Sequence, residues 1–237
     1  MANILTWNME GGQTKKGDSK WANLKTYVNK TEVKPDVICL QECSHIPEWG
    51  GSDSINTGYL NYGTESRPNY YYGVYYPWGT GTDKVSFAIL IRTIEKPSGE
   101  TPKDYELVAS IEDGGRPMIG IKKGSFNYYT IHAPSYHPID VPRSRTYIQG
   151  MVRQVKMQRE GESFIIGGDF NCTPADMRLF VPEGATLYAS DKTTHPAKGN
   201  TPDAELDYFI SNLELSDMDI LDLGGSDHYA VLATFDE

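Results

Sequence analysis

Short runs of apolar and aromatic residues recur along the chain, each with the length of a β-strand. Residues 70–76 and 87–92 are expected to pair as one hairpin. Residues 118–122 and 128–132 are expected to pair as another, with the turn at Gly124. The predicted strands are residues 4–8, 37–41, 70–76, 87–92, 118–122, 128–132, 163–166, 206–211 and 229–235.

Two segments between strands have helical spacing. The first follows a glycine-rich loop, residues 11–17, with Asp18 or Ser19 as its cap, and the second begins at Pro142. The apolar positions are Trp21, Leu24 and Val28 in the first segment and Ile148, Met151, Val152 and Val155 in the second. Strand–helix–strand alternation combined with hairpins predicts an α/β sandwich with mixed sheets. The lack of any linker or repeat predicts one domain over residues 1–237.

The composition is that of a globular chain, since 38% of the 237 residues are hydrophobic and 23% are charged. The formal net charge is −10. Tight non-specific binding of nucleic acid depends on Lys and Arg neutralising phosphates, so this charge argues against it. It does not exclude a hydrolase that must release a polyanionic product, and acidic residues gathered at a metal site would account for part of the excess.

Cysteine usage argues against a disulfide scaffold, because the chain has only Cys39, Cys43 and Cys172. In an extended chain Cys39 and Cys43 would lie about 13 Å apart, beyond disulfide reach, and Cys39 is expected to be a small buried residue. No run is long and apolar enough to span a membrane. Core-like sequence begins at Ile4 with no signal peptide before it, so the compartment is left open.

Polar residues capable of metal or proton chemistry follow several of the apolar runs directly. Because strand ends in α/β sheets share an edge, we expect these side chains to converge in one crevice suited to a hard, oxygen-liganded cation. They are Asn8, Glu42, His132, Asp169 with Asn171, and Asp227 with His228. The last pair precedes the final strand and could equally belong to a hairpin loop.

Most of these residues have an ordinary structural explanation when each is taken alone. Asp169 and Asn171 could serve only an Asx turn, and His132 could be a hydrogen-bonded core histidine. Glu42 and Asp207 are harder to explain in that way, because a carboxylate at a buried strand position needs a partner.

Together and in this order, the motifs resemble the endonuclease/exonuclease/phosphatase superfamily, with its DNase I-like fold, over nearly the whole chain. They are Trp7-Asn8, Leu40-Gln41-Glu42, Ile131-His132, Gly168-Asp169-Phe170-Asn171, Leu206-Asp207-Tyr208 and Ser226-Asp227-His228. A second series is similar to the nuclease subunits, the B subunits, of cytolethal distending toxins. It comprises Thr6-Trp7-Asn8, Ser19-Lys20-Trp21, Arg67-Pro68-Asn69, Ala88-Ile89 with Arg92, Arg116-Pro117-Met118-Ile119-Gly120-Ile121 and Ile131-His132-Ala133. The resemblance implies a four-layered α/β sandwich of two packed mixed β-sheets flanked by helices.

The resemblance also implies Mg²⁺ as cofactor, with Mn²⁺ or Ca²⁺ as substitutes. Glu42 is expected to be the principal metal ligand, with Asp227 beside the metal. Asn8 is expected near the metal and the substrate phosphate, and Asn171 is expected to donate to that phosphate. Arg116 is expected to clamp a phosphate oxygen, where a planar guanidinium does better than Lys.

The expected catalytic residues are His132, Asp169, Asp207 and His228. By resemblance His228 is the general base, Asp207 fixes its tautomer, and Asp169 orients the attacking water. A protonated His132 would stabilise the transition state or protonate the leaving oxygen, although the roles of the two histidines could be reversed. DNase I pairs its first catalytic histidine with a glutamate; here residues 70–76 hold no carboxylate, and Asn69 lies near the expected position.

The implied function is a DNA endonuclease. A phosphoinositide or other small-phosphoester phosphatase on the same fold is the alternative, and a binding module without activity is the third hypothesis. The toxin resemblance is compatible with accessory toxin subunits as partners, and also with a relative that works without them. The protein would then be secreted after removal of a signal peptide, and otherwise cytoplasmic.

Two other features have competing explanations. The tyrosines of residues 70–76 could stack on bases, but alternating aromatics on a half-buried strand explain them more simply. Basic residues of the second helix could face a nucleic-acid backbone, but a solvated outer face is the commoner explanation. They are Arg143, Arg145, Arg153, Lys156 and Arg159.

Overall fold

The computed structural model describes residues 1–12, 19–44, 46–49, 54–79, 85–95, 105–135, 139–197 and 203–236. Its strands are β1 (Ala2–Asn8), β2 (Val37–Gln41), β3 (Asn56–Asn61), β4 (Tyr70–Trp78), β5 (Val85–Thr93), β6 (Tyr105–Val108), β7 (Met118–Lys123), β8 (Phe126–His132), β9 (Ser163–Asp169), β10 (Thr186–Tyr188), β11 (Asp207–Ser211), β12 (Leu215–Leu221) and β13 (Ala230–Phe235). Its helices are α1 (Lys20–Lys30), α2 (Val141–Gln158) and α3 (Pro174–Met177), with short 3₁₀ turns at Pro47–Trp49 and Arg178–Phe180. All of the predicted strands overlap strands of the structure.

The strands form two mixed sheets. One has the order β12-β13-β1-β2-β5-β4-β3, and the other has the order β10-β11-β9-β8-β7-β6. The parallel pairs are β1 with β2 and β8 with β9, and the other pairs are antiparallel. A parallel pair needs a long crossover. Helix α1 lies in the first crossover and α2 in the second, so each sheet contains one strand–helix–strand unit.

The alternation of side chains along the strands creates three apolar layers. In β2, Val37 and Cys39 join the core between the two sheets, while Ile38 and Leu40 join the core that contains residues of α1. Residues of α2, among them Met151, form the third core with the outer face of the second sheet. Helix, sheet, sheet and helix therefore stack as four layers, which confirms the expected fold.

The helix boundaries differ slightly from the predictions. Ser19 occupies the N-cap position of α1, but its side chain caps no backbone amide, and Asp18 lies outside the described residues, as does most of the glycine-rich loop. In α2 the side chain of Asp140 accepts a hydrogen bond from the backbone N–H of Arg143, and Pro142 is the second helical residue. The predicted apolar positions of both helices are buried.

Within the described residues, four strands were not predicted, and they are the edge strands: β3 and β12 in one sheet, β6 and β10 in the other. An edge strand is half solvated and carries fewer apolar residues than a central strand. β12 shows this clearly, since Ser216 and Asp217 are exposed. A sequence signal based on apolar runs therefore misses such strands.

The structure favours a packing role for the tyrosines of β4 and a structural role for the basic residues of α2. Tyr71 is buried in the core that contains α1, whereas Tyr72 and Tyr76 pack against the inter-sheet core, as expected for aromatics alternating along a strand. Two basic residues of α2, and Arg159 directly after it, pair with carboxylates of the protein itself. These pairs are Arg143 with Glu112, Arg145 with Asp176, and Arg159 with Glu106.

The three cysteines are free thiols and all are buried. No disulfide scaffold is present, as predicted. Among the described residues, no helix combines the length and apolarity needed to cross a membrane.

Candidate active site

The carboxyl ends of β1 and β2 lie side by side because the two strands run parallel. Asn8 is level with Gln41, so Glu42 follows at the same edge of the sheet. Glu42 leaves its strand at φ +48°, and Glu10 and Asn171 have φ +44° and +46°. This left-handed region costs a non-glycine residue about 1–2 kcal/mol, and such strain clusters at functional sites.

The second sheet presents its polar strand ends at a matching edge. His132 ends β8 level with Asp169 at the end of β9, and Asp207 begins β11 opposite Asp169. β8 and β9 approach closely where Gly168 faces Ile131. A Cβ atom on Gly168 would lie 2.0 Å from the Ile131 carbonyl oxygen, so only glycine fits beside the site.

An amide–carboxylate network joins the two sheets. Nδ2 of Asn8 lies 2.9 Å from Oδ2 of Asp169 and 3.4 Å from Oε1 of Glu42. Nε2 of His132 lies 3.6 Å from each of those two carboxylate oxygens. Burial raises the pKa of Asp169, against the opposing influence of His228 and the Asn8 amide. Residues far apart in the sequence therefore meet in one polar cluster.

His228 is fixed by a buried carboxylate. Its Nδ1 lies 2.7 Å from Oδ2 of Asp207, and its Nε2 lies 3.8 Å from Oδ2 of Asp169. Burial acts to lower the pKa of His228, but the two carboxylates outweigh it and raise the pKa to about 10. The backbone is held as well, because Trp7 Nε1 donates to the His228 carbonyl and the His228 amide donates to Ser226 Oγ.

His132 departs from its expected state. Burial lowers its pKa well below the ordinary value, and the charges of Arg116 and His228 act in the same direction, so the ring is neutral without substrate. Nδ1 is buried without a hydrogen-bond partner among the described residues, and Phe87 packs edge-on at 6.3 Å. The expected position of Asn69 was wrong. Asn69 precedes β4, and it is the other end of β4 that reaches the site edge. The backbone amide of Asn69 donates a hydrogen bond to Oδ1 of Asn61.

Arg116 and Asn171 share one hydrogen-bond acceptor, the backbone carbonyl of the residue after His132. The Arg116 guanidinium and Nδ2 of Asn171 both donate to the Ala133 carbonyl, at 3.2 and 2.9 Å. Arg116 also lies over the ring of Trp78, 5.9 Å from its centroid. Arg116 and Asn171, two of the three side chains expected at the phosphate, are therefore held at this edge, where both donate to protein acceptors.

The sequence model of the Endonuclease/Exonuclease/phosphatase family matches residues 5–228. This chain belongs to that family. The B subunit of the cytolethal distending toxin of Escherichia coli is 26% identical over 225 residues, which cover 88% of this chain and 78% of that protein. The solved structure of the Haemophilus ducreyi cytolethal distending toxin matches with a TM-score of 0.77 at 22% identity, covering 100% of this chain and 98% of the other. The structure of D. rerio TDP2 complexed with single-strand DNA product matches with a TM-score of 0.63 at 15% identity, covering 100% and 99%.

Members of this family generally depend on a divalent cation, and the donor set here fits one. The side chain of Glu42 is 37% exposed, and among the described residues its carboxylate contacts the Asn8 amide and His132 but no Lys or Arg. A carboxylate so placed beside an amide side chain suits Mg²⁺, which takes one or two carboxylates and keeps several waters. Asp227, the other expected ligand, donates from its backbone amide to Glu10.

Two residues beside His228 gave no signal in the sequence. The buried His195 lies edge-on against His228, with ring centroids 4.7 Å apart, and its Nε2 is 4.0 Å from Oδ2 of Asp227. Thr194 Oγ1 accepts from the backbone amides of Leu206 and Asp207, which sets the start of β11. Both residues lie in irregular chain, where no apolar run indicates a strand end.

Lys20 supports the part of the site that contains Glu10 and Asp227. Its ammonium group is buried and donates to the carbonyls of Met9 and Glu10, which fixes the turn after β1. The Glu10 carboxylate, 4.0 Å from the same ammonium, in turn accepts from the amide of Asp227. Lys20 belongs to a toxin-like motif noted above, but its spacing gave no indication that it is buried.

Proposed function

We propose that this protein is a divalent-metal-dependent DNA endonuclease that nicks DNA by in-line attack of water on a backbone phosphate. The observation that supports it most is the contact of Asp169 with both imidazoles, His132 at 3.6 Å and His228 at 3.8 Å. In-line hydrolysis needs a proton acceptor for water and a proton donor for the leaving oxygen, arranged around a group that can orient the water.

Proton transfer is proposed to divide between the two histidines. Asp169 orients the water, and His228 accepts the water proton. A cation held by Asp227 would offset the carboxylates that raise the pKa of His228 and so favour its neutral form, and Asp207 stabilises the imidazolium that results. The hydroxide oxygen bonds to phosphorus, and the bond from phosphorus to the leaving oxygen breaks. His132 supplies the proton to that oxygen. A bound phosphate beside His132 would favour its protonated form and so offset the effect of burial on its pKa.

Glu42 and Asp227, with Asn8 beside them, are proposed to hold the cation. When bound, it would act as a Lewis acid on a phosphate oxygen. Asn8 has a second task, because its amide fixes the carboxylates of both Glu42 and Asp169.

Arg116 is proposed to bind a non-bridging phosphate oxygen. Its guanidinium is held by the Ala133 carbonyl and by the Trp78 ring, so little side-chain freedom is lost when phosphate binds. Asn171 is proposed to exchange its donation to Ala133 for a donation to phosphate.

DNA is proposed as the substrate because the relatives point to it. The chain is similar along most of its length to a cytolethal distending toxin subunit, and the fold is shared with TDP2, which was solved with a DNA product. The overall charge of −10 keeps a small phosphoester as the alternative, since a headgroup needs fewer phosphate contacts than a duplex does.

The test is a side-by-side assay on supercoiled plasmid and on phosphoinositide vesicles, with Mg²⁺, using wild type, His132→Ala and His228→Ala. We expect wild type to nick the plasmid faster than it releases phosphate from vesicles, and both variants to lose nicking. Phosphate release that exceeds nicking would replace the endonuclease proposal by the phosphatase alternative. Nicking that persists in both variants would refute the assignment of the site.

A further inference from the structure

A second set of metal-type ligands, His195, Asp227 and His228, lies beside the proposed reaction centre. Their potential ligand atoms lie within 4.8 Å of one another. Nε2 of His195 is 4.0 Å from Oδ2 of Asp227, too far for a hydrogen bond. Nδ1 of His195 is buried and has no hydrogen-bond partner among the described residues. Among the described residues, no side-chain hydrogen bond of His195 therefore explains why this second imidazole is buried beside His228.

The spacing suits an ion better than a hydrogen bond. Ligand atoms that share a tetrahedral ion with bonds of about 2.0–2.1 Å lie about 3.4 Å apart. The 4.0 Å gap between His195 and Asp227 can close to that value with a small side-chain rotation. The edge-on contact of the His195 and His228 rings keeps the two imidazoles together in the absence of an ion.

His228 is already oriented for metal binding. Its Nδ1 is engaged by Asp207 at 2.7 Å, which leaves Nε2 as the ligand atom. A histidine whose other ring nitrogen bonds a carboxylate is the usual arrangement for metal-ligating histidines, because the carboxylate fixes the tautomer and raises the basicity of the ligand.

The donor set selects the class of ion. Two imidazoles and one carboxylate suit zinc and its first-row neighbours, whereas Mg²⁺ prefers oxygen ligands and water. A second group, Asp169, Asp207 and His228, is also close enough to share an ion, but it offers only one imidazole. In that group Asp207 is committed to His228 Nδ1. His195 is thus the imidazole that the first set has and the second lacks.

We propose that His195, Asp227 and His228 form a binding site for a transition-metal dication of the zinc type, and that its occupancy stops phosphodiester hydrolysis. The inhibition follows because Nε2 of His228 cannot bond the ion and accept the water proton at once. Binding of the ion does not depend on the proposed function, whereas the inhibition rests on it.

The binding is tested with Zn²⁺ alone, by competition with a chromophoric chelator, on the full chain. We expect wild type to bind Zn²⁺ and His195→Phe, which keeps a ring against His228, to raise the Kd at least tenfold. His132→Phe is the matched control: it removes a buried imidazole of the same crevice that lies outside the set, and it should leave the Kd within about threefold. Asp227→Asn at a partly exposed position should also weaken binding, and it serves if His195→Phe fails to fold.

X-ray absorption at the zinc edge gives a readout independent of activity, and we expect two imidazole ligands in wild type and one in His195→Phe. Equal affinity in wild type and His195→Phe, or a wild type that binds no Zn²⁺, would overturn the site. Where Mg²⁺-dependent nicking is measurable, His195→Phe should need at least tenfold more Zn²⁺ than wild type for half inhibition. Zinc binding without any nicking in Mg²⁺ would count against the proposed function and leave this site standing.

Discussion

Replacing Asp207 by asparagine tests the proton-transfer pair with the least change of shape. Asp207 is fully buried, its Oδ2 lies 2.7 Å from Nδ1 of His228, and the imidazole itself is 8% exposed. Asparagine keeps the volume but removes the charge that stabilises an imidazolium. It also allows the amide to accept or donate, so the tautomer of His228 is no longer fixed.

The magnitude follows from the role. A positioned acid–base group contributes about 10²–10⁴-fold to rate. If Asp207→Asn removes most of that contribution, kcat should fall by about 10²–10⁴-fold, which corresponds to about 3–5 kcal/mol in the activation barrier. KM should change little, because Asp207 is buried behind His228 and contacts no substrate in the proposed reaction.

The assay is steady-state cleavage of plasmid DNA at saturating Mg²⁺, with a thermal melt of each protein to show that the fold is kept. Asp217→Asn is the matched control, because Asp217 is exposed on the edge strand β12 and the same chemical change should leave kcat unaltered. A kcat for Asp207→Asn within about threefold of wild type would refute the role given to the Asp207–His228 pair.

Three other substitutions test separate parts of the account. Glu42→Gln should raise the Mg²⁺ concentration for half-maximal activity at least tenfold. The melting temperature should stay within a few degrees, since the side chain is 37% exposed. An unchanged Mg²⁺ titration would show that Glu42 does not bind the metal. Gly168→Ala should destabilise the fold by about 1–3 kcal/mol in a denaturant titration, because its Cβ would lie 2.0 Å from the Ile131 carbonyl oxygen. A variant with wild-type stability would contradict that close approach. Lys20→Met should lower the free energy of unfolding by about 1–3 kcal/mol and reduce activity, since the carbonyls of Met9 and Glu10 lose their donor. An equally stable, fully active variant would show that the ammonium group does not hold this turn.

The parts of the fold that the sequence predicted are those whose apolar pattern is continuous. β2 was recognisable because the apolar run of residues 37–40 is followed directly by Gln41 and Glu42. Helix α2 was recognisable because its apolar residues recur at helical spacing. The edge strands were missed since solvent covers one side of each. In β12, for example, polar residues occupy positions that a central strand would fill with apolar ones.

The site shows the same division. Asn8 and Glu42 end or follow strands of one sheet, and His132 and Asp169 end strands of the other, so parallel register places each pair at one edge. The packing of the two sheets brings the two edges together. His195 lies in irregular chain and reaches His228 only through the tertiary fold. The charge states could not be predicted either, because they depend on burial and neighbouring charges. A protonated His132 and a His228 acting as base were expected, whereas burial lowers the pKa of His132 and carboxylates raise that of His228.

The central claim is that carboxylates and imidazoles of the two sheets form one phosphodiesterase site. It is tested most directly by hydrolysis of bis-p-nitrophenyl phosphate, which avoids any question of the natural substrate, by wild type, Glu42→Gln and Asp207→Asn with Mg²⁺ or Mn²⁺. The account predicts metal-dependent release of p-nitrophenol by wild type that is abolished by chelator and lowered at least tenfold in either variant. A folded wild type that releases none with either metal, or variants that match its rate, would contradict it.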